Sequence, residues 1–112
     1  MVLTSSGELP SVLSIFLQGS ANLASGVVFG DGVRCANSNL KRLFTHNASG
    51  GTVSAPSGTD ASISARSAAL GDVIAPGSLR YYQVYYRDPA LSFCPNPPGN
   101  SWNVSSGIQI QW

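Results

Sequence analysis

Charged side chains are scarce in this chain of 112 residues, since Asp, Glu, Lys and Arg together make up 10% of it. An ordinary soluble domain has about 25%. The net charge is +1 and the one adjacent basic pair is Lys41-Arg42, whereas a nucleic-acid or anionic-membrane surface needs clustered Lys and Arg. No apolar run approaches the roughly 20 residues of a membrane span. We therefore expect no nucleic-acid partner and no membrane insertion.

Residues that carry catalysis are also few. His46 is the only histidine, and no GxSxG elbow accompanies it, so a serine hydrolase is not indicated. A glycosidase needs two carboxylates held about 5 to 9 Å apart, and no spacing in the chain suggests such a pair. The acids are scattered, four of them in predicted turns or tails: Glu8, Asp31, Asp60, Asp72 and Asp88. The sequence predicts a protein that is not an enzyme and that has no metal, cofactor or catalytic residues.

Two cysteines are present, Cys35 and Cys94. They are far apart and show no CxxC spacing, which argues against zinc or a redox dithiol. A structural disulfide between them would close a loop of some 60 residues and contribute roughly 4 kcal/mol in the chain-entropy model. The alternative is two unpaired buried thiols.

Asp31 is flanked by two glycines, and Gly30-Asp31-Gly32 is a tight-turn signal. A calcium or phosphate loop is the alternative. Asp31 has no second carboxylate at ligand spacing, and the Walker and dinucleotide glycine patterns are absent. A turn is therefore the favoured interpretation.

Polarity comes mainly from Ser, Thr, Asn and Gln, with 12 Gly and 7 Pro as breakers. This composition is typical of a secreted all-β domain. Residues 1–10 are polar and predict a linker or lead-in, residues 19–26 a turn region, and residues 11–112 a single domain. We expect an antiparallel β-sandwich, jelly-roll or Ig-like, of six to seven or more short strands. The predicted strands include residues 11–18, 27–29, 33–35, 40–46, 61–67 and 80–88, with residues 102–112 closing the chain and a break at Gly107.

All four tyrosines of the chain lie within Arg80–Asp88. Aromatic residues around a central Val, closed by Pro89, predict a central β-strand. With a period of two, Tyr82, Val84 and Tyr86 face the core and the intervening residues face water or a ligand. A helix is the alternative, because the tyrosines also form i,i+4 pairs. The run lacks the residues that helices favour.

Exposed aromatics together with polar side chains can stack on sugar rings and hydrogen-bond their hydroxyls. This chemistry needs neither an acid nor a metal, so a polysaccharide or other glycan is the predicted ligand. The alternative for each aromatic is a core or corner position in the sandwich. The candidate ligand-binding residues are Tyr81, Gln83, Tyr85, Arg87, Trp102 and Trp112.

Several stretches together resemble a known kind of domain. They are Phe16–Gly19, Gly26–Cys35, Tyr82–Asp88, Phe93-Cys94 and Ile108–Trp112. The chain from Ser11 to Trp112 is similar to an uncharacterised domain found near the C-terminus of large secreted or cell-surface proteins of environmental bacteria. The resemblance implies an exported, disulfide-containing accessory domain with neighbouring domains as partners. It implies no catalytic residues.

Three functions stay open on the sequence alone. The first is a carbohydrate-binding accessory module of an exported bacterial protein. The second is a structural or adhesive cell-surface module that packs against neighbouring domains or self-assembles. The third is a domain of an enzyme whose active site lies elsewhere.

Overall fold

The computed structural model describes residues 1–89 and 101–112, which form nine β-strands and one short α-helix. Every strand pairing among them is antiparallel. The all-β prediction is therefore confirmed at the level of strand-rich, antiparallel structure. The elements are β1 (Leu3–Ser6), β2 (Leu13–Gly19), β3 (Ala21–Phe29), β4 (Gly32–Asn37), β5 (Lys41–Asn47), β6 (Thr52–Ala55), α1 (Ile63–Ala69), β7 (Leu79–Arg87), β8 (Trp102–Val104) and β9 (Ile108–Gln111).

Strand β7 lies at the centre of a five-stranded sheet. On one side it pairs with β2, with Phe16 opposite Val84, and β5 pairs with the other side of β2. On its second side β7 pairs with β8 at residues 85–87 and with β9 at residues 79–82. The prediction of an extended, central tyrosine strand is confirmed, and the helix alternative is wrong.

The two faces of β7 have different neighbours. On one face Tyr82 and Val84 are buried with Phe16, and this core continues to Leu3 of β1 and Ile63 of α1. The other face contacts the hairpin formed by β3 and β4. The alternation of side chains therefore places Tyr82 and Val84 in the core as predicted. The prediction that the opposite face meets water or a ligand is wrong for most of the strand, because the hairpin covers that face and Gln83 is buried there.

Helix α1 occupies most of a segment that the sequence predicts to be a strand, residues 61–67. Ser62 caps its N-terminus, with the Ser62 Oγ accepting from the Ala65 N–H at 3.2 Å. Ile63 and Ser67, four residues apart, are the buried positions of the helix. The strand prediction is wrong here because an i,i+4 buried pair and alanine-rich positions favour a helix over the two-residue alternation. Among the described residues, no helix is long and apolar enough to cross a bilayer.

Strand β3 includes most of the predicted turn region at residues 19–26, so that prediction is wrong. The register of β3 against β4 shifts between Asn22 and Val27, and Gly26 within the irregular part has φ of 64°. A register shift lets the hairpin continue through small and polar residues that interrupt the strand pattern. The predicted turn at Gly30–Gly32 is confirmed, since Phe29 pairs with Gly32 across it.

Strand β1 lies within the segment expected to be a linker or lead-in. It pairs with β6 from Leu3 opposite Ala55 to Ser6 opposite Thr52. Leu3 is 6% exposed and belongs to the hydrophobic core. The segment at residues 3–6 is therefore ordered against the domain. Its alternating buried and exposed pattern spans only these four residues, so the sequence alone did not indicate a strand there.

The predicted break at Gly107 coincides with the interruption between β8 and β9. A Cβ at this position would lie 3.3 Å from the Gln83 Cγ and 3.8 Å from the Cys35 Cβ. Glycine therefore lets the chain pass close to both side chains.

Cys35, on β4, is half-buried and forms no disulfide with any residue of the described chain. Its predicted partner Cys94 lies outside the described residues, so the disulfide stays a prediction.

Candidate functional site

Gln83 is buried, with 3% of its surface exposed. Its Oε1 accepts from the backbone N–H groups of Cys35 at 2.7 Å and Ala36 at 3.0 Å. Its Nε2 donates to the carbonyl oxygens of Val33 at 3.2 Å and Ser105 at 2.9 Å. A side-chain amide has two donor hydrogens and two acceptor lone pairs. The whole hydrogen-bonding capacity of Gln83 is therefore used to join β4 and the end of β8 to the central strand.

Tyr85 and Trp102 lie in a cluster with Phe29 of β3. The Phe29 ring centroid is 4.3 Å from that of Trp102 and 5.8 Å from that of Tyr85, and the Tyr85 and Trp102 centroids are 5.9 Å apart. The rings meet at interplanar angles from 68° to 87°, which is the edge-to-face arrangement of packed aromatics. The Arg34 guanidinium carbon lies 5.4 Å from the Phe29 centroid. These aromatics hold the hairpin against the sheet.

Arg87 and Trp112 occupy separate places. Arg87 is exposed and lies opposite Trp102 in the β7–β8 pairing. Trp112 packs against the core, and its Nε1 donates to the Tyr82 hydroxyl at 3.0 Å. The six predicted ligand residues are therefore divided over both faces of the sheet and do not form one surface.

Tyr81, the remaining predicted residue, lines a cleft of about 220 Å³ beside β9. We name it the Tyr81 cleft, and its other walls come from the hairpin and from the start of β9. Its lining residues are Asn22, Cys35, Tyr81, Gly107, Ile108 and Gln109.

Three polar side chains in the Tyr81 cleft are available to a ligand. Among residues 1–89 and 101–112, the amides of Asn22 and Gln109 and the hydroxyl of Tyr81 have no hydrogen-bond partner. Asn22 and Gln109 are exposed and Tyr81 is half-buried. The cleft therefore combines an aromatic ring with uncommitted donors and acceptors, and none of its described lining residues is Asp, Glu, Lys, Arg or His.

A second depression, of about 200 Å³, runs along β1 on the core side of β7. We name it the β1 groove. Its described lining consists of apolar and hydroxyl-bearing residues together with Gln83, and no charged side chain. The lining residues are Leu3, Thr4, Ser5, Ser6, Phe16, Tyr82, Gln83, Val84, Tyr86, Ser105, Ser106 and Ile108.

Both tyrosines of the β1 groove are held in the neutral hydroxyl form. Burial raises the pKa of Tyr82 to about 12, against the opposing effect of the Trp112 N–H. Burial also raises the pKa of Tyr86, with the carboxylates of Glu8 and Asp88 adding to the effect. Because a phenol with a raised pKa stays protonated, each hydroxyl keeps its proton at neutral pH.

A buried ion pair joins the segment after α1 to the start of β7. Arg80 donates from Nε to the Asp72 Oδ2 at 2.9 Å and from Nη2 to the Asp72 Oδ1 at 2.7 Å. The Gln18 amide also donates to the Asp72 Oδ2 at 2.9 Å and to the Ser67 Oγ at 2.7 Å. The Arg80 hydrogen bonds hold the pKa of Asp72 below its usual value. Two-point pairing in a buried place points to a structural role.

His46 pairs with Asp60, with 2.6 Å between the His46 Nε2 and the Asp60 Oδ2. The Ser57 N–H donates to the same carboxylate oxygen at 2.9 Å and is the main cause that lowers the pKa of Asp60. No local pattern in the sequence indicates this pair, because His46 and Asp60 are 14 residues apart in the chain. Neither residue lines the Tyr81 cleft or the β1 groove.

Asp31 lies in the β3–β4 turn, where its N–H donates to the Trp102 carbonyl oxygen at 3.1 Å. Within the described part of the chain, no group of three or more His, Cys, Asp or Glu residues is placed to hold a metal ion.

Asn22 and Gln109 were not among the predicted site residues. Asn22 was assigned to a turn, and Gln109 alternates with isoleucines in a strand whose partners were unknown. The outward position of Gln109 in Ile108–Gln111 was the only sequence signal, and it did not indicate a cleft.

Comparisons of the chain with protein-family models, with curated proteins and with solved structures found no match.

Proposed function

We propose that this protein is a non-catalytic, carbohydrate-binding accessory module of an exported bacterial protein, and that the Tyr81 cleft is its binding site. The observation that carries the proposal is the group of three uncommitted polar side chains around Tyr81. A sugar ring offers a C–H face and several hydroxyls. An aromatic ring with amides beside it satisfies both.

The uncharged lining narrows the ligand to neutral saccharides. The amides of Asn22 and Gln109 each donate and accept, so they match vicinal hydroxyls of a hexose. A uronic acid would bring a carboxylate into a cleft with no cation among its described residues, and an unpaired charge is costly to desolvate. We therefore propose neutral glycans, ahead of acidic ones, as the ligands of the Tyr81 cleft.

The non-catalytic part of the proposal is supported by the lining of both depressions. Neither includes a histidine or a carboxylate among its described residues. The charged groups of Asp72 and Arg80 bind each other, and His46 binds Asp60. Bond cleavage would need an acid or base within reach of the substrate.

Two finer features of the fold belong to the same proposal. We infer a β-sandwich-like arrangement, because the small β1–β6 sheet and the β3–β4 hairpin contact opposite faces of the five-stranded sheet. We also infer a Cys35–Cys94 disulfide and a secreted or cell-surface location. Intact mass before and after alkylation under non-reducing conditions tests the disulfide, since a bridged protein takes up no reagent.

A second candidate, a structural or adhesive module, is favoured by exposed valines on the hairpin. Val28 and Val33 are cross-strand partners and are 80% and 51% exposed. Paired exposed valines on the face of a hairpin form an apolar patch that is suited to contact with a second copy. Sedimentation velocity over a range of protein concentrations tests this, with a Val28→Thr variant expected to abolish any association.

Affinity electrophoresis and calorimetry with neutral plant, algal and bacterial polysaccharides test the first candidate. Gln109→Ala is expected to weaken binding roughly tenfold, the equivalent of one or two lost hydrogen bonds. Gln111→Ala is the matched control, because Gln111 is exposed on the same strand and does not line the cleft. Equal affinity of the two variants, or no binding to any neutral glycan, would refute the assignment.

A further inference from the structure

The β1 groove presents a strand edge, and this distinguishes it from the Tyr81 cleft. Four consecutive residues of β1, Leu3 to Ser6, line it. Successive side chains of a strand point to opposite faces, so a wall of side chains would include only every second residue. A wall to which all four residues contribute is formed by the backbone edge of the strand. The groove therefore runs along the peptide groups of β1.

This edge of β1 has no hydrogen-bonding neighbour in the described chain. Among the described residues β1 pairs with β6 alone, and no other backbone hydrogen bond is formed by Leu3 to Ser6. A strand has two hydrogen-bonding edges, so every second N–H and C=O of β1 is directed away from β6. An open edge of this kind is a template for another strand.

The other lining residues limit what can enter the groove. Ser105, Ser106 and Ile108 line it together with β1, and so do Phe16 and Val84, which we name its apolar floor. An extended peptide that pairs with β1 would direct alternate side chains toward these apolar residues. Because no described lining residue is charged, a charged side chain on the inward positions would be desolvated without a partner.

We propose that the free edge of β1 binds an extended, uncharged peptide segment of another protein by strand addition. Four residues of edge correspond to about 13 Å of extended chain. The main-chain bonds provide affinity, and the apolar floor selects small apolar side chains at alternate positions. This proposal does not depend on carbohydrate binding in the Tyr81 cleft, although Ile108 lines both depressions.

The test uses the whole chain labelled with ¹⁵N and the capped peptide acetyl-Ser-Val-Ser-Val-Ser-amide at millimolar concentration. Strand addition depends on the backbone, so this alternating sequence suffices as a probe. Two alternate amides of β1, those directed away from β6, are expected to exchange with deuterium at least tenfold more slowly. Two peptides N-methylated on alternate residues serve as controls, and one of them should bind at least tenfold more weakly.

A pair of variants locates the site. Ser106→Tyr places a ring in the groove and should weaken binding at least tenfold, whereas Ser64→Tyr, exposed on α1, should have no effect. Unchanged exchange at Leu3 to Ser6, or equal binding by all three peptides, overturns the proposal. Protection of the same amides by raised protein concentration alone assigns the edge to a second copy and also overturns it.

Discussion

Replacement of Gln83 by leucine is the sharpest test of how the hairpin is held over the sheet. The side chain is nearly isosteric with glutamine, so packing volume is preserved while all hydrogen bonds of the amide are lost. Two backbone N–H groups, of Cys35 and Ala36, then lose their acceptor. Two carbonyl groups, of Val33 and Ser105, lose their donor.

The expected loss follows from these four hydrogen bonds. A net contribution of about 1 kcal/mol each gives about 4 kcal/mol. Burial of a leucine side chain in place of the amide adds about 1 kcal/mol to the free energy of unfolding. We therefore expect the free energy of unfolding to fall by about 3 kcal/mol, and the melting temperature by about 12 °C for a chain of this length.

Urea denaturation followed by tryptophan fluorescence measures this loss, with an unchanged m-value required for the comparison. Hydrogen exchange adds a local readout, since the amides of Cys35 and Ala36 should become the least protected of β4. Gln111→Leu, at an exposed position of β9, is the control and should change stability by less than about 0.5 kcal/mol. A loss below about 1 kcal/mol for Gln83→Leu, with β4 still protected, would show that the amide does not hold the hairpin.

Three further predictions concern stability. Arg80 lowers the pKa of Asp72, so the stabilisation by this carboxylate is complete above the unfolded pKa and is lost as the pH falls below about 4. Asp72→Asn should therefore have a lower melting temperature at pH 7, and its melting temperature should depend less on pH below about pH 4. Gly107→Val should cost about 2 kcal/mol in urea, because even a Cβ there lies 3.3 Å from the Gln83 Cγ. Ser62→Ala removes the cap of α1 and should cost about 1 kcal/mol.

Each of these has a matched control. For Asp72→Asn the unmodified protein is the control, and the same dependence of the melting temperature on acid pH in both would contradict the assignment to Asp72. Ser106→Val, next to Gly107 and exposed, should cost far less than Gly107→Val. Ser64→Ala should leave α1 intact, and a loss equal to that of Ser62→Ala would rule out the capping role.

Local pattern was sufficient for some elements of the fold and insufficient for others. The tyrosine strand was predictable because four tyrosines surround a central Val in a run that lacks the residues helices favour. The helix at Ile63–Ala69 was not, since its small residues satisfy both periods and the decision depends on Ile63 and Ser67 being buried together. Strand β1 was missed because four residues are too few for a pattern to stand out.

The candidate site shows the same division. The sequence predicted ligand-binding residues on β7, and one of these, Tyr81, lines a cleft. It could not show that the Gln83 side chain is hydrogen-bonded to backbone groups of β4, or that Tyr85 and Trp102 pack edge-on with Phe29. Asn22 and Gln109 both line the cleft, although their strands are distant in the chain.

By itself, the sequence determined the strand-rich class, the central tyrosine strand and which of its faces meets the hydrophobic core, because these follow from residue type and a period of two. The tertiary structure alone decided which polar side chains are used up internally and which stay available to a ligand. The reason is physical: a hydrogen-bond partner is set by distances between segments remote in the chain, and these arise only when the hairpin, the small sheet and β9 pack around β7.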